Sequence, residues 1–130
     1  MKRYDEWNEV KKEMLDQEKK QSFKVREIFW LKVGHNVGYE TDGKGVSFLR
    51  PVLILRKFSK DTFLGIPLTT SQKDDMFHYK FILNSNEKVN YANLSQIKLF
   101  DVKRVRNKLG LISKDNFEEL KSKLKKLIFE

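Results

Sequence analysis

Gly38-Tyr39-Glu40, a glycine-rich loop, and then Arg50-Pro51-Val52-Leu53-Ile54-Leu55 form the stretch on which the reading of this chain turns. Its second half reads as a buried strand. The four branched apolar residues Val52–Leu55 are too short a run for a helix core and suit a strand covered on both faces. Pro51 lacks an N–H and so belongs at the first position of the strand or on an edge. Arg50 then stands at the mouth of the strand, where a loop meets a rigid element. The preceding loop, with Gly38, Gly43 and Gly45, allows close approach of backbone to a ligand. A guanidinium placed there can fork onto a phosphate. An arginine that only snorkels at a strand end fits the local sequence equally well.

On the N-terminal side, Phe23–Val33 carries Val25, Ile28, Trp30 and Val33 and reads as a first strand region. Gly34-His35-Asn36 marks a turn. Further upstream, Tyr4, Trp7, Val10, Met14 and Leu15 fall near one face at helical spacing, so residues 4–18 are expected to form an amphipathic helix. That helix is expected to pack on the domain through Trp7. The chain thus divides into a helical extension, residues 1–22, and a single domain, residues 23–130.

On the C-terminal side, Arg56–Asp61 reads as a polar turn and Thr62–Leu68 as a strand stopped by Thr69-Thr70-Ser71-Gln72. Met76–Leu83 alternates, with Phe77, Tyr79, Phe81 and Leu83 on one face and His78, Lys80 and Ile82 on the other. Asn84–Asn90 is expected to be a loop, and Tyr91–Phe100 a strand with Gln96 in its middle. Asp101–Leu109 is expected to be a short helix or turn, broken by Gly110. Ser113 suits an N-cap, Asp115 the first turn of a helix, and Phe117, Leu120, Leu124, Leu127 and Ile128 its apolar stripe. Short strands, tight turns and a terminal helix predict a small, strongly bent sheet or barrel, α+β overall.

The chain has 130 residues, enough for one sizeable core, and 39% hydrophobic and 12% aromatic residues, a globular composition. The absence of cysteine excludes a disulfide framework, thiolate metal sites and a thiol nucleophile, and it suits a reducing compartment. The charged N-terminus lacks the apolar segment of a signal peptide, and no apolar run approaches the roughly 18 residues of a membrane span. A cytoplasmic location is expected. The net charge is +9, and residues 1–22 hold six basic and six acidic side chains, so the whole excess lies beyond them. Between Gly43 and Lys60 stand Lys44, Arg50, Arg56, Lys57 and Lys60 without one acid. Such a field attracts a polyanion, most simply nucleic acid. A basic protein that meets an acidic protein partner has the same composition.

The usual catalytic constellations are absent. His35 and His78 lie far apart, each in a setting that suggests a solvated side chain, and neither is expected to be essential. Asp74-Asp75 would point to opposite faces of a strand, a poor metal site. There is no P-loop or dinucleotide fingerprint, and no cofactor is expected. Glu40, Arg50 and Thr69-Thr70-Ser71 remain, all at strand ends beside basic loops. That set suits RNA cleavage. RNA carries its own nucleophile, the 2′-hydroxyl, so a cleaving enzyme needs only to align it with phosphorus, move two protons and stabilise phosphoryl charge. An arginine and a hydroxyl can stabilise the charge, and a carboxylate can take a proton or orient the arginine.

Glu27-Ile28-Phe29-Trp30, Asn36-Val37-Gly38-Tyr39-Glu40, Arg50-Pro51-Val52-Leu53-Ile54, Ile66-Pro67-Leu68-Thr69-Thr70 and Ser95-Gln96-Ile97-Lys98 follow one another in the order and approximate spacing of the MazF/PemK (Kid) toxins of type II toxin–antitoxin modules. The tail from Asp101-Val102-Lys103-Arg104 to Ile112-Ser113 also resembles that family's ending, and the resemblance covers roughly residues 23–128. It implies a small SH3-like β-barrel with a C-terminal helix, here with an additional N-terminal helix, and a homodimer. It implies a metal-independent endoribonuclease that leaves 2′,3′-cyclic phosphate and 5′-hydroxyl ends on single-stranded RNA, and an acidic antitoxin partner. Carried over, Arg50 is the catalytic arginine, Thr69 the hydroxyl that helps to hold the phosphate, and Glu40 a member of the glycine loop. Lys44, Arg56, Lys57, Thr70, Ser71 and Gln96 are the expected RNA contacts. The loop between Glu40 and Arg50 is longer than the family's usual one. Some members carry a histidine in place of Tyr39 and an aspartate in place of Ser95, which leaves the acid and base here open. A non-catalytic binder of nucleic acid or gyrase on the same barrel is the alternative. Arg50 and Thr69 favour the nuclease, because a protein binder needs neither.

Overall fold

The computed structural model describes residues 22–33, 49–85 and 87–130. The expected helix over residues 4–18, with Trp7, lies outside the described residues, as do His35, Tyr39, Glu40 and Lys44. Seven antiparallel strands form one sheet: β1 (Glu27–Lys32), β2 (Leu49–Lys57), β3 (Thr62–Thr69), β4 (His78–Leu83), β5 (Lys88–Asn93), β6 (Lys98–Asp101) and β7 (Val105–Leu111). The order across the sheet is β4-β5-β3-β2-β1-β7, with β6 also paired to β3. A C-terminal helix, α1 (Lys114–Phe129), packs on one face.

The apolar run of β2 is buried on both faces, and its alternation divides two cores. Leu53 joins Ile28, Ile66, Leu68, Phe81 and the Phe117, Leu120 and Leu124 side chains of α1. Val52 and Ile54 point the other way, to Phe29, Leu31, Phe63 and Phe100. Burying each of the three α1 side chains contributes about 1.5–3 kcal/mol, enough to hold the helix in place. The Ser113 side chain caps α1 by accepting from Asn116 N at 3.1 Å, with Asp115 in the first turn as expected. Tyr79 ties β4 to the same helix. Its hydroxyl donates to Glu119 Oε1 at 2.7 Å, and burial together with that carboxylate pushes the phenol well above its ordinary value. Ile128, expected in the apolar stripe, is exposed.

Three expectations are corrected. The stretch Tyr91–Phe100 is not one strand. It is β5 and β6 separated by a 3-10 turn, Leu94–Gln96. Asn93 Oδ1 accepts from Ser95 N at 3.2 Å and from Ser95 Oγ at 2.8 Å, a local alternative to the ladder that extrudes three residues. Both halves still pair with the same side of β3, through Leu68↔Ala92 and Gly65↔Lys98. Asp101–Leu109 is not a helix. Asp101 caps a 3-10 turn, Val102–Arg104, and the chain then runs on as β7 beside β1. Gly110 lies inside β7, where an added Cβ would collide with Ser85 Oγ, so it is a point of close approach. Finally, the sheet is open. Among the described residues no ladder joins its edge strands β4 and β7; the Ser85 hydroxyl donates to the Leu109 carbonyl at 2.9 Å across that gap.

Pro51 occupies the third position of β2 and pairs with Trp30 of β1. The β2–β3 ladder reaches only Val52↔Pro67, so Pro51 is flanked on one side alone and its missing N–H breaks no bond there. From Leu68 onward, β3 pairs with β5, and β2 and β3 part at that point.

Candidate functional site

The parting of β2 and β3 places the two residues singled out from the sequence. Continuing the Val52↔Pro67 register by two residues brings Arg50 level with Thr69. Alternation sets Arg50 on the face of Val52 and Thr69 on the face of Phe63, so both project from the side of the sheet away from α1. There they line an open groove of about 1100 Å³. Its walls include Pro67, Leu68, Asn93, Gln96, Lys98 and Phe100, with Lys73, His78, Asp101 and Arg104 around them.

The groove is cationic. Arg50, Lys73, Lys98 and Arg104 face a single lining carboxylate, Asp101, which is engaged by Lys103 N at 2.8 Å. Arg104 is fixed by donating to the Lys32 carbonyl at 3.0 Å, and the Lys98 ammonium lies 5.5 Å from the centre of the Phe100 ring. Arg50 is exposed and its backbone lies in the ladder with Leu31 of β1, while no described residue engages its guanidinium, whose fork of donors suits an anion. Thr69 Oγ1 accepts from Ser71 N at 3.1 Å. That bond occupies a lone pair and orients the hydroxyl while leaving its proton to donate.

His78 contributes a group that the sequence reading set aside. It opens β4 on the face opposite Tyr79, and its side chain is only 10% exposed. Its Nδ1 lies 2.6 Å from Asp75 Oδ1, which also accepts from Phe77 N at 3.0 Å. The hydrogen bond from His78 holds the Asp75 carboxyl below the usual carboxylate range.

Of the expected RNA contacts, Gln96 lines the groove, while Thr70 and Ser71 follow Thr69 at the exposed end of β3. Arg56 and Lys57 do not join them. A register irregularity between Ile54 and Arg56 turns the end of β2, and both residues line a smaller depression of about 520 Å³ beside Phe117 and Leu124 of α1. Lys57 Nζ itself turns to Phe23 of the other core, donating to its carbonyl at 3.4 Å and lying 4.6 Å from the centre of its ring. Lys73, Lys98, Arg104 and His78 come from three separate segments, and only the fold gathers them. One local signal was available for His78: an aspartate three residues before it across a turn.

The family model described as PemK-like, MazF-like toxin of type II toxin–antitoxin system matches residues 24–128. The chain belongs to this family. No curated protein matches it in sequence. Among solved structures, MazF of Deinococcus radiodurans superposes with a TM-score of 0.64 at 18% identity, over 84% of this chain and 98% of that one. The Mycobacterium tuberculosis toxin MazF-mt6 gives 0.61 at 15% identity, over 79% and 96%. An endoribonuclease from a mycobacterial species, solved in complex with its cognate antitoxin, gives 0.63 at 13% identity, over 82% and 95%. At these identities the likeness is one of fold. The PemK/MazF fold accounts for the seven-stranded sheet and the single described helix, and the cationic groove is the described concavity that holds Arg50 and Thr69.

Proposed function

We propose that this chain is a toxin that cleaves single-stranded RNA, messenger RNA above all, without a metal, by attack of the 2′-hydroxyl on the adjacent phosphate. The observation that carries the reading is that Arg50 and Thr69 line one groove together with Lys73, Lys98 and Arg104. In this reaction the nucleophile comes from the substrate. The protein must bind the backbone and stabilise the negative charge that grows on the phosphoryl oxygens. Arg50 supplies a permanent charge and paired donors, and Thr69 a neutral donor from the neighbouring strand. Lys73, Lys98 and Arg104 hold the flanking phosphates, and Gln96 and Asn93 offer amides to base edges. Glu40, which precedes β2 in the sequence and lies outside the described residues, is proposed as a further member of the site.

The same groove suits an acidic antitoxin segment, since a carboxylate-rich chain can occupy the anion positions of the RNA. MazF of Deinococcus radiodurans has been solved with MazE, and the mycobacterial endoribonuclease with its antitoxin. Pairing of two copies into a homodimer and action in the cytoplasm belong to the same proposal. The test is incubation of the purified protein with a messenger RNA in excess EDTA, followed by end-group analysis. Fragments with 2′,3′-cyclic phosphate and 5′-hydroxyl ends are expected. Intact RNA that is nonetheless bound would overturn the nuclease reading in favour of a non-catalytic binder.

A further inference from the structure

We infer that His78 is a catalytic residue of the groove, the base that takes the 2′-hydroxyl proton, and that Asp75 is its positioning residue. This rests on the ribonuclease reading and supplies the proton carrier which that reading lacks. Three observations support it independently of Arg50 and Thr69. His78 lines the groove and is nearly buried. Its Nδ1 is 2.6 Å from an Asp75 carboxylate that the same bond keeps ionised, so the ring carries its proton on Nδ1 and presents Nε2 as an acceptor. Its backbone is pinned as well, since Lys123 of α1 donates to the His78 carbonyl at 2.7 Å and Asn93 of β5 pairs with it across the ladder. Such a ring is oriented from two sides, as a base must be.

The spacing is suitable. Thr69 pairs with Tyr91, and His78 with Asn93 on the far side of β5, so one strand and a two-residue offset separate them, about 12 Å between backbones. Side chains rising from one face across that interval can meet the two ends of a single ribose–phosphate unit. The step is as follows. Nε2 takes the proton of the 2′-hydroxyl, the O2′–P bond forms and the P–O5′ bond breaks. The electron pair passes to O5′, which takes a proton from water, and the imidazolium returns its own proton to the solvent. Asp75 from the β3–β4 loop bonds the ring, Lys73, Arg50, Lys98, Asp101 and Arg104 line the same groove, and Lys123 of α1 reaches the His78 carbonyl. Asp75, bonded to Nδ1, holds the ring in place during the transfer.

The experiment is single-turnover cleavage of one messenger RNA in EDTA by wild type, His78→Gln, His78→Ala with and without added imidazole, Asp75→Asn and Asp75→Glu. Each variant is checked for folding by circular dichroism. His78→Gln should lower the rate by about 10² to 10⁴ and abolish the acidic limb of the pH–rate profile. Imidazole should restore part of the His78→Ala rate. Asp75→Asn should lower the maximal rate without raising the half-saturating RNA concentration, and Asp75→Glu should recover much of the loss. A wild type that cleaves, beside a His78→Gln of equal rate and unchanged pH profile, overturns this inference and leaves the ribonuclease reading standing. A wild type that cleaves nothing overturns both.

Discussion

At the scale of single residues, the proposed site depends on two side chains that fill no part of the core. Arg50 is exposed at the start of β2, and Thr69 ends β3 with its hydroxyl engaged, among the described residues, by Ser71 N. Neither fills a core, so Arg50→Ala and Thr69→Ala should keep the far-ultraviolet circular dichroism and melting temperature of the wild type. Each removes one donor to the scissile phosphate and should slow cleavage by about 10² to 10³. The double variant should be little slower than either single one, because members of one catalytic unit do not contribute additively. Full multiplication of the two losses in single-turnover assays would show that they act on different steps. That these two residues stand near strand ends was legible in the sequence, because strand ends can be read locally from Pro51 and from the hydroxyl run after Leu68. His78 was not. Its alternation was read correctly, but whether the polar face of a strand meets solvent or a groove wall depends on segments far away in the chain. Here those segments are Arg50 of β2 and Lys98 of β6.

At the scale of elements, β3 organises the molecule, since it pairs with β2, β5 and β6. It does so at close quarters around Gly65, where a Cβ would stand 2.6 Å from Val52 Cγ1 and 3.0 Å from Phe100 Cδ2. Gly65→Ala should therefore force β2 and β6 apart and cost about 1–3 kcal/mol by overpacking. Val52→Ala removes the nearest obstacle at the cost of a cavity. In the double variant the new methyl and the cavity should partly cancel, with a coupling of at least about 0.5 kcal/mol in urea unfolding. Strict additivity would mean that the backbone moves instead of Val52. Elements were legible where periodicity was strong, as in β2, β4 and α1. They were misread where a side chain offers the backbone a local bond. Asn93 and Asp101 each cap a 3-10 turn, interrupting a strand that hydrophobicity alone would continue or replacing an expected helix.

At the scale of the whole molecule, the excess positive charge lies in separate places. The sequence suggests one basic field from Gly43 to Lys60, but β2 is nine residues long and carries Arg50 and Lys57 at opposite ends, about 20 Å apart at the rise of an extended strand. Arg50 joins Lys73, Lys98 and Arg104 in the groove, whereas Arg56, paired with Leu64, stands on the α1 face and Lys57, paired with Phe63, stands over Phe23 at the far end of β2. The distribution along the chain was legible and its division in space was not, because a strand keeps neighbours in sequence far apart while folding brings distant ones together. The two sets make different predictions for binding. Each phosphate neutralised on a single strand steepens the dependence of log K on log salt by about 0.7. With an RNA whose 2′-hydroxyls are replaced by hydrogen, so that it binds without being cut, Lys73→Gln and Lys98→Gln should each flatten the slope by roughly that amount. Lys57→Gln should leave it unchanged, because that ammonium is spent on the Phe23 carbonyl and ring. Fluorescence anisotropy across a salt series measures all three. If Lys57→Gln flattens the slope as much as Lys98→Gln does, the RNA path extends to the far end of β2 and the groove is not its main track.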